Sequence, residues 1–143
     1  MKPDFFKPKT TDTSKLPLFE SKVPAGFPSP CEPHIKKRLN AHDYLVDQED
    51  ATYFVSVCGL SLVDMGILPG DIAVVNKALA MEAKIGNVVL AVVDSDFTLK
   101  ILALGEDGFP ILQVANQDMQ PIQIKEGMDF QIWGVVTGIF RRL

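Results

Sequence analysis

The chain predicts an all-β fold, a folded sheet or partly open barrel, with an extended N-terminal arm and one or two short helices. Three observations carry that prediction. From Ala51 onward, short β-prone runs recur between turn-forming clusters. No strand-like run alternates with a long helical pattern, which excludes a doubly wound α/β sheet. Seven of the ten prolines stand before residue 34, at Pro3, Pro8, Pro17, Pro24, Pro28, Pro30 and Pro33, so that stretch holds neither a continuous helix nor a central strand.

Taken in order, residues 1–40 form the arm. They hold eight basic and four acidic groups, net +4, and residues 41–143 hold six and fourteen, net −8. The opposite signs favour an arm laid across the acidic remainder, with Leu16, Leu18, Phe19, Val23 and Phe27 available to anchor it. A tail with no role has the same composition. Residues 34–46 read as a short helix whose first turn Pro33 opens. Residues 41–143 form the β-rich domain, with strands expected at 53–58, 71–75, 87–93, 97–104, 111–114 and 130–140. Between them lie Leu68-Pro69-Gly70, Asp94-Ser95-Asp96 and Gly105-Glu106-Asp107-Gly108, all turn chemistry.

Composition narrows the function. The 143 residues, 47% hydrophobic and 22% charged, suit one globular domain with a real core. A net charge of −4 weighs against direct DNA binding by the whole chain. Cys31 and Cys58 fit neither a metal spacing nor a disulfide framework, which points to a reduced, cytoplasmic setting. The longest aliphatic run, residues 88–93, is far short of the roughly 20 residues that cross a bilayer. No apolar run of signal-peptide length follows Lys2, so no membrane association is expected. His34 and His42 make no His-Glu-x-x-His pattern, and no glycine-rich loop follows a strand; neither a metal nor a cofactor is expected.

Two residues stand out against that background. Ser61 follows the apolar run ending at Cys58 and the turn-permitting Gly59, at a strand-to-helix junction. A serine there is held at the edge of the core, where its backbone N–H can face a developing oxyanion. A helix N-cap is the commoner use of such a serine. Lys100 is the single charge within residues 97–104. Strand periodicity puts Thr98, Lys100 and Leu102 on one face, and Phe97, Leu99 and Ile101 on the other. An ammonium buried there is driven to shed its proton, and a neutral lysine can accept one from a serine hydroxyl. An edge lysine with its head in water is the alternative.

Five strings in register carry a resemblance: Gly26-Phe27-Pro28-Ser29-Pro30, Ala51-Thr52-Tyr53-Phe54-Val55, Gly59-x-Ser61, Gly66-Ile67-x-x-Gly70-Asp71 and Phe97-Thr98-Leu99-Lys100. In this order they resemble the LexA/UmuD-like family of self-cleaving serine peptidases, from Pro17 to the C-terminus. No DNA-binding helix-turn-helix is read ahead of the core, which favours the UmuD side. The resemblance implies a Ser–Lys dyad, with Ser61 as nucleophile and Lys100 as general base. It implies a cleavage site at Ala25 and Gly26, whose bond would be cut to release residues 1–25. Its further implications are stimulation by a RecA filament on single-stranded DNA during the SOS response, homodimerisation to which residues 130–140 contribute, and partnership of the shortened form with a UmuC-type translesion polymerase. The chain departs from the family in having Leu60 where an aspartate is common, Leu62 for methionine, and Met119 where an aromatic is expected. Ala25 replaces a cysteine often found at the cut. Two further readings compete: a binding module of the same fold that does not cleave, and a truncated repressor effector domain.

Overall fold

In a computed structural model, which describes residues 5–6, 15–28, 30 and 33–143, strands form where β-branched and aromatic residues gather between turns. They are β1 (Phe5–Phe6), β2 (Leu16–Phe19), β3 (Ile35–Leu39), β4 (Thr52–Ser56), β5 (Ile72–Asn76), β6 (Val88–Val93), β7 (Asp96–Leu104), β8 (Pro110–Gln113), β9 (Ile122–Gln123) and β10 (Phe130–Phe140). One short helix, α1 (Ala41–Leu45), and three 3₁₀ turns complete the described elements. The fold is mostly β, as the turn-punctuated sequence predicts, and its larger sheet is open rather than a closed barrel. Among the described residues no helix is long and apolar enough to cross a membrane.

The chain divides into two compact units, one of Met1–Pro8 with Gln48–Leu143, the other of Lys9–Asp47. The smaller unit pairs β2 with β3 in an antiparallel hairpin, Leu16 opposite Leu39 and Pro17 opposite Arg38. Residues 34–46 are therefore not one helix. Ile35-Lys36-Lys37-Arg38-Leu39 is drawn into strand by its partner, and the helix starts only at Asn40, whose side-chain oxygen accepts from the Asp43 N–H at 3.0 Å. Leu16, Leu18, Val23 and Phe27, expected as anchors, are all exposed, Phe27 at 93%. Ser29, Cys31 and the side chain of Phe19 lie outside the described residues.

The larger unit is an eight-stranded antiparallel sheet in the order β1-β4-β5-β10-β6-β7-β8-β9. β10 gives it its bend. Its first half, from Phe130 to Val135, pairs with β6, and its second half, from Val135 to Phe140, pairs with β5. The register shifts between Ile132 and Gly134 and again between Val136 and Gly138, and such bulges turn a strand from one sheet direction to another. Gly134 stands at the corner because the backbones meet there: a Cβ would lie 2.6 Å from Val75 Cγ1 and 3.2 Å from the Asn76 carbonyl.

The bend places the β4–β5 layer against the β6–β7 layer. Between them lie Val55, Val57, Ala73, Val75, Val88 and Leu90, closed in by Phe97, Leu99 and Trp133. Trp133 meets Tyr53 edge-on at 5.0 Å and Phe97 at 6.5 Å between ring centroids. The opposite face of β6 sends Val89 and Ala91 into a second cluster with Leu102, Leu112, Ile124 and Val135. Burial on both faces is why β6 reads as an unbroken Val-Val-Leu-Ala-Val-Val run rather than an alternating one. Each fully buried Val or Leu in these clusters contributes about 1.5–3 kcal/mol of transfer free energy.

Candidate active site

The segment that follows β4 is built to present one side chain. Val57 continues the pairing with the β5 side, its N–H donating to Asp71 O at 2.8 Å and its carbonyl accepting from Gly70 N at 2.9 Å. Gly59, at φ +88°, then turns the chain through the left-handed region, where a side chain would be strained. Leu62 and Ile67, buried in the interlayer core, pin the loop on either side of the short 3₁₀ turn Val63–Met65. The base of the loop is clamped by an ion pair. Arg141 donates from Nε to Asp71 Oδ1 and from Nη2 to Asp71 Oδ2, both at 2.7 Å, and from Nη2 to Gly66 O at 2.6 Å. The Leu68 N–H donates to the same carboxylate at 2.8 Å. The hydrogen bonds from Arg141, then that from Leu68, hold the Asp71 carboxyl below the ordinary carboxylate range.

The loop is held from its other side by the chain leaving β8. Ala115 N donates to Ser61 O at 2.7 Å, Asp64 N to Ala115 O at 2.8 Å, and Asn116 Nδ2 to Leu60 O at 2.9 Å. Ser61 is not an N-cap. The 3₁₀ turn begins after Leu62 with no side-chain cap, and the Ser61 hydroxyl instead faces β7, where Oγ lies 3.5 Å from the Leu99 carbonyl.

β7 explains what meets it there. This strand pairs with β6 along its length, with Lys100 opposite Val89, but β8 covers its other edge only from Ile101 to Leu104. Residues 97–100 are left facing the serine loop. Lys100 Nζ is 3.3 Å from Ser61 Oγ, 2.7 Å from Thr98 Oγ1 and 3.3 Å from Leu99 O. Serine from one layer and lysine from the other thus meet at the rim of the interlayer core. Lys100 is half-buried, and loss of water around its ammonium lowers its pKa from the ordinary lysine value. The geometry is that of a hydroxyl beside an amine inclined to give up its proton.

Both side chains open into a cleft of about 180 Å³ bounded by residues 55–59, Leu62, Leu90 and residues 97–100. Ala25 and Gly26 belong to the smaller unit, in the connection between β2 and β3, and both are exposed. A Cβ at Gly26 would meet nothing within 4 Å, so local packing does not demand a glycine there. Among the described residues no group of three His, Cys, Asp or Glu gathers as a metal set. Leu60, in the position where the resemblance expects an acid, is 54% exposed beside the cleft.

Thr98, Ala115 and Asn116 were not singled out as site residues by sequence reasoning. For Thr98 the signal was available in the strand periodicity, which puts it on the Lys100 face. Ala115 acts through its backbone, which leaves no residue-type signature.

Residues 17–137 match the family described as Peptidase S24-like. Protein MucA of Salmonella typhimurium is 37% identical over 139 residues, spanning 96% of this chain and 92% of the relative. Protein SamA of Salmonella typhimurium (strain LT2) is 35% identical over 131 residues, 90% of this chain and 87% of that protein. The LexA repressor of Clostridium novyi is 32% identical over 148 residues, spanning 97% of this chain and 71% of the repressor.

Proposed function

Because this chain belongs to the Peptidase S24-like family, we propose that it is a serine endopeptidase of the SOS mutagenesis response that cuts itself once, between Ala25 and Gly26. The observation that carries this reading is the 3.3 Å approach of Lys100 Nζ to Ser61 Oγ in a partly dry cleft. Neutral Lys100 takes the hydroxyl proton as Ser61 Oγ bonds to the Ala25 carbonyl carbon. The tetrahedral intermediate collapses with cleavage of the Ala25–Gly26 C–N bond. The Lys100 ammonium returns the proton to the departing Gly26 amine. Water, deprotonated by the same amine, then attacks the Ala25 ester and regenerates Ser61. Thr98 Oγ1, at 2.7 Å, orients the lysine throughout.

Only the neutral amine serves as base, so the rate rises with pH through the Lys100 pKa and then levels. Desolvation shifts that rise below the ordinary lysine range. Each chain is cut once, so docking of the arm, rather than the chemical step, suits regulation. The resemblance supplies the setting: a cytoplasmic homodimer stimulated by a RecA filament on single-stranded DNA, whose shortened form, residues 26–143, joins a UmuC-type polymerase. Exposed Leu60 in place of an acid favours a second reading, a binding module of the same fold that does not cleave.

Incubating purified full-length protein at alkaline pH separates the two. Cleavage yields a fragment whose first residue is Gly26, absent in Ser61→Ala and Lys100→Ala. A parent band that stays intact, both at alkaline pH and with RecA filaments, overturns the peptidase reading.

A further inference from the structure

We propose that the outer edge of β4 is a strand-accepting surface, covered by the chain's own leader before cleavage and taken afterwards by an extended apolar segment of another polypeptide. β4 is paired with β5 at all five positions, Thr52 opposite Asn76 through Ser56 opposite Ile72, without a register shift. On its other side the neighbour is β1, two residues long, with Phe5 opposite Val55 and Phe6 opposite Phe54. The leader therefore does to β4 what a peptide ligand does when it adds a strand to a sheet edge.

The edge itself is unguarded. Natural edge strands are blunted by lysine, proline or a bulge, and Thr52-Tyr53-Phe54-Val55-Ser56 has none of these. The contrast lies within the same chain. The β2–β3 hairpin carries Pro17, Lys36, Lys37 and Arg38. Tyr53 and Phe54 are held by Trp133 and Phe140 in edge-to-face contacts of 5.0 and 5.1 Å, so the edge is rigid and already ordered for a partner. The occupant already seated sets the chemistry: an antiparallel strand, apolar and uncharged at the paired positions, contributing main-chain hydrogen bonds.

Among the described residues two of the leader pair with β4, and the tether keeps them at high effective concentration. Cutting between Ala25 and Gly26 removes that tether, and residues 1–25 then leave the edge. This second half rests on the peptidase reading; the acceptor edge does not.

The test uses full-length Ser61→Ala protein, which stays uncut, alone and with Phe5→Pro/Phe6→Pro or Phe5→Asp/Phe6→Asp added. Hydrogen exchange is followed over residues 52–58, with β6 as the control for an intact fold. Binding of a fluorescein-labelled peptide of residues 1–8 is followed by anisotropy. Either double variant is expected to exchange at least tenfold faster at Phe54, whose N–H faces β1, with Val55, whose N–H faces β5, and β6 unchanged. It is also expected to bind the peptide at least tenfold more tightly than the Ser61→Ala parent, and not to bind the peptide carrying both prolines. Unchanged exchange, or equal peptide binding by variant and parent, overturns the acceptor edge. Sedimentation as a new dimer without peptide binding assigns the edge to a second copy and overturns the partner assignment. In the cleavable chain, appearance of peptide binding only after the cut supports unmasking; a cut chain that still fails to bind overturns it. Absence of any cut refutes the peptidase reading while leaving the double-variant result to decide the edge.

Discussion

Replacing Thr98 by valine keeps the side-chain shape and removes the acceptor 2.7 Å from Lys100 Nζ. The hydroxyl oxygen accepts from the ammonium, so it favours the charged form, and its loss lowers the lysine pKa further. A hydrogen bond to a charged donor contributes about 1.5–3 kcal/mol, all of it in favour of the ammonium over the neutral amine. Ser61 Oγ and Leu99 O, each 3.3 Å from Nζ, remain as acceptors, and water reaches the half-buried group. Both facts hold the effect to the lower end of that range. The amine also loses its tether, and displacement from the attack geometry lowers the plateau rate by about tenfold. Single-turnover self-cleavage of the full-length chain, followed by gel densitometry across alkaline pH, reads both effects. The expected profile is lower in plateau, with its inflection moved to lower pH. A Thr98→Val profile superposing on the parent's, or moving to higher pH, refutes the assignment of Thr98 as the residue that orients the base.

Lys100→Met abolishes cleavage and raises the unfolding free energy near neutral pH by about 1 kcal/mol, since an apolar stem replaces a desolvated cation. In the parent, the folded-state pKa lies below the unfolded value, so the unfolded chain binds more protons between them; stability from this group rises with pH across that window and is flat in the variant. Urea titrations at several pH values check both statements. Arg141→Ala lowers Tm, and the deficit is present at neutral pH and shrinks as pH falls through the depressed Asp71 pKa, where the parent loses the same ion pair; thermal melts from neutral to acid pH measure it. Gly134→Ala destabilises by about 1–3 kcal/mol through the clash with Val75 and the Asn76 backbone, read from the urea midpoint.

The strands were legible wherever both the β-prone run and the turn beside it were local features. β5, β6, β7, β8 and β10 fall within about a residue of the sequence expectation because Gly70, the Asp94-Ser95 turn and the loop from Gly105 to Gly108 punctuate them. β3 was not, because Ile35-Lys36-Lys37-Arg38-Leu39 has no strand signal of its own; its pairing with β2 decides its conformation. β1 escaped for the same reason, being two residues defined by a neighbour fifty positions away.

The choice of residue types at the site was set by the sequence itself: a serine after a turn-permitting glycine, and a single lysine in an apolar strand with a threonine two positions before it. Those features are encoded residue by residue, through backbone freedom at Gly59 and side-chain alternation along β7. Whether the lysine would sit in water or against the serine was decided only in three dimensions. That outcome depends on β10 bending one layer over the other and on β8 stopping short of Lys100, long-range contacts that no local run of amino acids specifies.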